Sequence, residues 1–418
     1  MIMPLFLVAS AGNAPADPVA RVALFLACVL VAAKLGGEVA VRARQPAVLG
    51  ELVAGIALGN VAFLGVDFLE AMKRDPLLDV LGGIGALILL FEVGVESTIG
   101  QMLRVGASAF LVATVGVIAP FALGFGVSRW LLPGASPYVD AFIGATLCAT
   151  SVGITARVFK DAELLHTVEA RIVLGAAVID DVLGLLVLAV VMAIASAADL
   201  GQQLSALEVT LGAAKASGFL VGATVLGVVF SPRLFRFAFR LRARGALLAA
   251  GLSFCFLLAW LSSVVGLSAI VGAFAAGLVL EDAHFRDFKA RGEAGLTELL
   301  DPVSQFLVPV FFVLMGARTD LRALAHPEIL GLTFALTAAA LVGKQVCGLA
   351  VVDKGVDRVF VGLAMIPRGE VGLVVAGIGQ GIRVHGEPMI DAATFSAVVI
   401  MVVVTTVATP PLLKWRSS

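Results

Sequence analysis

Asp180 and Asp181 stand side by side in the middle of an apolar run, Leu174-Gly175-Ala176-Ala177-Val178-Ile179-Asp180-Asp181-Val182-Leu183-Gly184. The run continues from Ile172 to Ala195, enough to cross a bilayer with some tilt. A carboxylate at that depth costs about 2.5 kcal/mol or more. Two in succession point to a path for an ion or a proton. A helix turns about 100° per residue, so the two side chains diverge. One is expected to face an aqueous cavity and the other a neighbouring helix that carries a cation. Lys34, Lys215 and Lys344 are the lysines inside apolar spans. Lys344 lies on the span just before one with a breakable middle, so we pair it with Asp180 and leave Asp181 to the cavity. The competing reading has Lys344 snorkelling to the cytoplasmic surface. A carboxylate in a cavity holds a small hard cation or a proton, but not comfortably both. If Lys344 also releases its proton when the ion binds, two protons move per monovalent ion and the cycle carries net charge.

Arg368 and Glu370, in Met365-Ile366-Pro367-Arg368-Gly369-Glu370-Val371-Gly372, form a second ionic group. Two positions apart, they do not face each other on a regular helix. On a broken helix each could hold a partner, in a structural ion pair or in transport. Thr150 and Ser151 offer hydroxyls or freed carbonyls near Asp181, or bond back to their own helix. Glu92 is a further intramembrane acid, which reads as funnel lining or as an interfacial glutamate. Gly55-Ile56-Ala57-Leu58-Gly59 is a small-xxx-small pattern that suits close helix contact, within or between protomers. His284, with Glu281 and Asp282, reads as a pH sensor or a solvated loop. Cys28, Cys148, Cys255 and Cys347 all fall in apolar spans and read as small buried hydrophobes.

Positioning these groups requires membrane helices. Of 418 residues, 60% are hydrophobic and only 14% charged, and the mean hydropathy is +1.06. That excludes an ordinary soluble globular protein. The net charge of −1 and the lack of a basic tail give no reason to expect nucleic acid. The pattern predicts an all-α polytopic membrane protein with thirteen transmembrane helices. The spans are 18–41, 46–64, 78–97, 105–131, 138–159, 168–197, 206–230, 245–264, 267–283, 298–317, 327–351, 356–380 and 391–413. Loop arginines and lysines concentrate after odd-numbered spans, above all Arg233, Arg236, Arg240, Arg242 and Arg244. This bias puts the N-terminus outside and the C-terminus in the cytoplasm.

Residues 1–418 read as one transmembrane domain: a first repeat over 18–197, a linker helix over 206–230 and a second repeat over 245–413. Six spans cannot invert, but six plus one linker turn the second copy upside down. Spans five and twelve then correspond. Both are polar at mid-membrane, and Pro367 with its neighbouring glycines weakens the second.

At these residues the chain resembles the bacterial sodium/proton antiporters of the cation/proton antiporter superfamily, in the electrogenic two-aspartate branch of the NapA type with the NhaA fold. Five blocks carry the resemblance: Gln45 to Gly55, Ala149 to Val158, Leu174 to Gly184, Pro309 to Arg318 and Pro367 to Leu373. It implies that Asp181 is the ion- and proton-binding carboxylate, and the ligand of the transported Na⁺. It implies that Lys344 partners Asp180. Thr150 would lie where two unwound helices cross, with Arg368 and Glu370 in structural ion pairs nearby. It further implies crossed broken helices, a core moving like an elevator against a dimerisation domain, and a homodimer in the bacterial inner membrane. Glu92 departs from the pattern, which has an apolar residue there.

The reading is a secondary active antiporter, not an enzyme, exchanging Na⁺ or Li⁺ for H⁺ with no cofactor. Its rivals are potassium/proton exchange on the same fold and a sodium-coupled solute symporter, which has no use for a buried Lys344. An intramembrane aspartyl protease needs carboxylates converging from different helices, which adjacent Asp180 and Asp181 do not supply.

Overall fold

The computed structural model describes residues 17–43, 45–61, 67–96, 106–151, 155, 159, 164, 167–199, 206–241, 245–265, 267–280, 294–384 and 387–417. Fifteen α-helices are described. They are α1 (Pro18–Arg42), α2 (Ala47–Val61), α3 (Asp67–Lys73), α4 (Pro76–Glu96), α5 (Ala107–Leu131), α6 (Pro137–Thr146), α7 (Val168–Asp199) and α8 (Ala206–Arg240). Then come α9 (Ala246–Val264), α10 (Ala269–Val279), α11 (Leu296–Ala317), α12 (Pro327–Cys347), α13 (Arg358–Ala364), α14 (Glu370–Gly381) and α15 (Ala392–Ser417). A two-residue antiparallel pair, Arg383–Val384 with Glu387–Pro388, joins α14 to α15.

Eight of the described helices are long and apolar enough to cross a membrane: those beginning at Pro18, Pro76, Ala107, Val168, Ala246, Leu296, Pro327 and Ala392. Three shorter apolar helices lie at Ala47–Val61, Ala269–Val279 and Val371–Gly381. Hydropathy averaged over a window does not see a helix that stops halfway. Among the described residues, the expected fifth span is helical as α6 to Thr146, is unwound over Leu147–Ser151 and is helical again at Thr155 and Phe159, and the twelfth is two short helices, α13 and α14.

The chain divides into two compact units, residues 1–89 with 301–327 and residues 90–300 with 328–418. In the first, α1 begins at Pro18, whose fixed φ suits a first helical position. Asp17 caps it by accepting from the Val19 N–H at 2.9 Å. Its apolar interior is Phe25, Val29, Met72, Val310 and Val313 among others. Gly36 of α1 lies against Gly50 of α2, and a Cβ on either would overlap the other's carbonyl. Gly55 and Gly59 press on Val313 and Ala317 of α11. The small-xxx-small pattern thus serves a contact within the chain.

In the second unit, α5 packs on α6 and α7, and α7 also meets α8 and α13. Val112, Phe159, Val173, Ala176, Val361 and Met365 share one buried cluster there. On α7 its buried members run from Ala170 to Ile179, the turns that lead up to the paired aspartates.

Candidate functional site: a buried ion pair beside two broken helices

Asp180 sits mid-way along α7 with 0% of its surface exposed, and Asp181 follows with 3%. Lys344, on α12, is also fully buried. Its Nζ donates to Asp180 Oδ1 at 2.8 Å, across 164 residues of chain. Lys344 therefore does not snorkel. A buried ammonium costs several kcal/mol unless it is paired, and Asp180 supplies the pair. Asp180 Oδ2 has no hydrogen bond among the described residues. Asp181 is turned about 100° away from its neighbour around the helix.

A third helix closes on the pair. A Cβ at Gly116 of α5 would stand 3.4 Å from Lys344 Nζ and 3.6 Å from Asp180 Oδ1. One turn on, a Cβ at Gly343 would lie 2.8 Å from the Pro120 Cα. Small residues let α5 and α12 approach closely enough to exclude solvent from the charges. Sequence reasoning missed Gly116, Pro120 and Gly343. Their signal was the close spacing of Gly343 and Lys344, which says little in a chain with 45 glycines.

Two helix breaks cross in the same unit. The first runs from Leu147 to Ser151 after α6, and the second from Met365 to Gly369 between α13 and α14. The Ser151 N–H donates to Pro367 O at 2.9 Å. Thr150 Oγ1 donates to Met365 O at 3.4 Å and Thr155 Oγ1 to Ala364 O at 2.7 Å. The Thr150 hydroxyl thus bonds across to the other break and not back to its own helix. A Cβ on Gly369 would stand 2.5 Å from Ser151 Cβ, so the crossing needs glycine there. The first break also approaches α7. Ala149 backbone atoms lie 3.9 Å from where a Gly184 Cβ would be, about one turn from Asp181.

Arg368 is fully buried at this crossing. Its Nη1 donates to Cys148 O at 3.1 Å and Ala149 O at 2.8 Å, and its Nη2 to Ala340 O at 3.4 Å. Where a structural ion pair was expected, the described partners of Arg368 are carbonyls. The unwound backbone frees acceptors that a guanidinium can reach as a fork. Thr406 Oγ1 in turn donates to Arg368 O at 2.5 Å. Thr406 carried no sequence signal, and Thr155 only its place in the polar stretch of the fifth span. The side chains of Glu370 and Lys215 lie outside the described residues, as do Glu281, Asp282 and His284. Glu92 is half-buried on α4, and Lys34 is exposed on α1. Cys148, Cys255 and Cys347 are buried free thiols, and Cys28 is half-buried.

The geometry joins a neutralised buried pair, an adjacent carboxylate and unwound backbone within one compact unit. The profile of the family described as "Sodium/hydrogen exchanger, transmembrane" matches residues 23–415. The high-affinity Na⁺/H⁺ antiporter NhaS3 of Synechocystis sp. is 37% identical, covering 94% of this chain and 89% of that protein. The Na⁺/H⁺-K⁺ antiporter GerN of Bacillus cereus is 31% identical, covering 93% of this chain and 95% of that one. The structure of the sodium proton antiporter MjNhaP1 from Methanocaldococcus jannaschii superposes with a TM-score of 0.69 at 18% identity, over 95% of this chain and 96% of that chain, which speaks to the fold alone. The chain is a multi-span helical membrane protein of a transporter family, not an enzyme: it belongs to the sodium/hydrogen exchangers.

Proposed function

We propose that this protein is an electrogenic antiporter of the two-aspartate NapA type, exchanging Na⁺ or Li⁺ for H⁺ with Asp181 as the site where ion and proton compete. The observation that carries the reading is the fully buried Asp180–Lys344 pair at 2.8 Å, immediately beside Asp181. Lys344 is committed to Asp180, and the neighbouring carboxylate of Asp181 is the one we assign to the transported ion. Desolvation favours its protonated form and a bound cation favours the ionised form, so each ligand expels the other. Release of the Lys344 proton on ion binding brings a second proton into the cycle. Net charge then moves, and about 2.3 kcal/mol per charge for each ~100 mV becomes available as drive.

Access alternates from one side to the other, with the core moving like an elevator against a dimerisation domain. The chain spans the bacterial inner membrane thirteen times, with the N-terminus outside and the C-terminus in the cytoplasm. Inverted repeats over 18–197 and 245–413 flank a linker helix at 206–230, and the protein works as a homodimer. The resemblance of the break after α6 to the break between α13 and α14 supports the repeat.

The test is proton movement in proteoliposomes with a pH dye, comparing Na⁺, Li⁺ and K⁺ with and without a potential clamped by valinomycin. Dequenching with Na⁺ and Li⁺ that responds to the potential is the expected result. Asp181→Asn is expected to abolish it, and full exchange in that variant would end the assignment. Lys344→Gln is expected to make any remaining exchange insensitive to the potential. A response to K⁺ alone would support potassium/proton exchange instead. The 31% identity to a protein named for both Na⁺ and K⁺ favours keeping K⁺ in the comparison.

A further inference from the structure

The short helix α6 carries a charge at its start that ion exchange has not yet used. Asp140 lies in its first turn, where the partial positive charge of a helix N-terminus favours a carboxylate. It is nevertheless fully buried. Ser128 Oγ, on α5 and equally buried, donates to Asp140 Oδ1 at 2.6 Å, a length typical of a charge-assisted bond. Asp140 Oδ2 has no hydrogen bond among the described residues. Arg129 Nη1 stands 3.9 Å from that oxygen, on a side chain 56% exposed. A buried carboxylate satisfied on one side is poor value as a stabiliser, since an apolar side chain of similar volume would pack there at lower cost. It can instead specify one register of one helix against another.

The contact face of α5 shows what that register controls. From Ser128 it passes Gly124, where a Cβ would lie 3.0 Å from the Gly144 Cα, then Pro120 against Gly343, then Gly116 against Lys344 and Asp180. Cys148 Sγ also donates to Val117 O at 3.6 Å. The same helix therefore touches the start of α6, its end and the buried ion pair. From Asp140 to the break at Leu147 is about 10 Å of helix. A shift at the first turn is carried to Ala149, which stands against α7 one turn from Asp181.

We propose that Asp140 is a positioning residue for the ion site: by fastening the first turn of α6 to Ser128 of α5, it sets where the α6 break stands beside Asp181. This rests on the antiporter reading above.

Four variants in proteoliposomes test it: Ser128→Ala, Asp140→Ala, their double variant and Asp140→Asn. Loss of the bond is expected to raise the apparent KM for Na⁺ about tenfold in both single alanine variants, the worth of one charge-assisted hydrogen bond. Their pH profile shifts to higher pH, because a weaker Na⁺ site competes less well with protons. The double variant is no worse than either single one, since both remove the same bond. Asp140→Asn recovers much of that loss, because its amide oxygen still accepts from Ser128, in a bond without the charge assistance. An Asp140→Asn protein as impaired as Asp140→Ala overturns the proposal, for then the charge itself is used. Alanine variants with wild-type KM and pH profile overturn it too. If Asp140→Ala does not fold, Ser128→Ala reads the same bond from its other partner. Na⁺-dependent shifts in unfolding temperature repeat the comparison without transport. Absence of exchange in the wild type counts against the antiporter reading, whereas Na⁺ binding undisturbed in Ser128→Ala counts against the anchor.

Discussion

The two helix breaks free backbone carbonyls in the same buried interior and satisfy them by different chemistry. At the first, Leu147–Ser151, the carbonyls of Cys148 and Ala149 receive a guanidinium, that of Arg368. At the second, Met365–Gly369, the neighbouring carbonyls receive neutral donors: Thr155 on Ala364, Thr150 on Met365, the Ser151 N–H on Pro367 and Thr406 on Arg368. The cation that serves the first break is itself carried by the second. Each break is therefore held in place by the other, and neither would be stable as an isolated segment. A buried acceptor left unmade costs about 1–3 kcal/mol, so donors at both breaks are required. Putting the one charge on the first break also places a cation near the Asp180–Lys344 pair.

The contrast between charged and neutral donors can be broken at its charged side first. Arg368→Met leaves the carbonyls of Cys148 and Ala149 without donors, and a loss on the order of 3–5 kcal/mol is expected. Thermal unfolding of the purified protein in detergent measures it, and a wild-type Tm would remove the distinction between the breaks. Arg368→Lys is expected to recover only part, because an ammonium cannot reproduce the planar fork. Gly369→Ala comes next. Its Cβ would stand 2.5 Å from that of Ser151, and relief requires the two segments to part. Overpacking of this kind costs about 1–3 kcal/mol, and exchange should fall with it. Wild-type transport by Gly369→Ala would show that the crossing is looser than the Ser151–Pro367 bond implies. The smallest change is Thr155→Val, which keeps the shape and removes one neutral bond to Ala364. About 1 kcal/mol is expected, with little change in Na⁺ affinity. A large affinity change there would mean that the neutral side of the crossing also shapes the ion site.

Much of the site could be read before any coordinates. Asp180, Asp181 and Lys344 stand out because a charge in an apolar run is a property of the run itself. Pro367 marks the second break because it lacks an N–H wherever it sits. The first break was legible only as a polar stretch, since Thr146 to Ser151 holds no residue that forbids helix. Arg368 was seen as a charge needing partners, and its partners turned out to be carbonyls. Backbone acceptors are set free by unwinding, so no residue type announces them. Gly116 and Gly343 were lost among many glycines, and their meaning depends on what stands opposite.

Hydrophobicity is carried residue by residue, and the sequence alone therefore determined that the protein is helical and multi-span and which acids interrupt its apolar runs. Partnership is different. Lys344 meets Asp180 across 164 residues, and Thr155 meets Ala364 across 209. Which of several lysines and hydroxyls reaches which acceptor depends on how α5, α7 and α12 pack and on where two helices stop. Only the tertiary structure decides that, because a hydrogen bond is made at about 3 Å and no pattern along the chain encodes a distance between its remote parts.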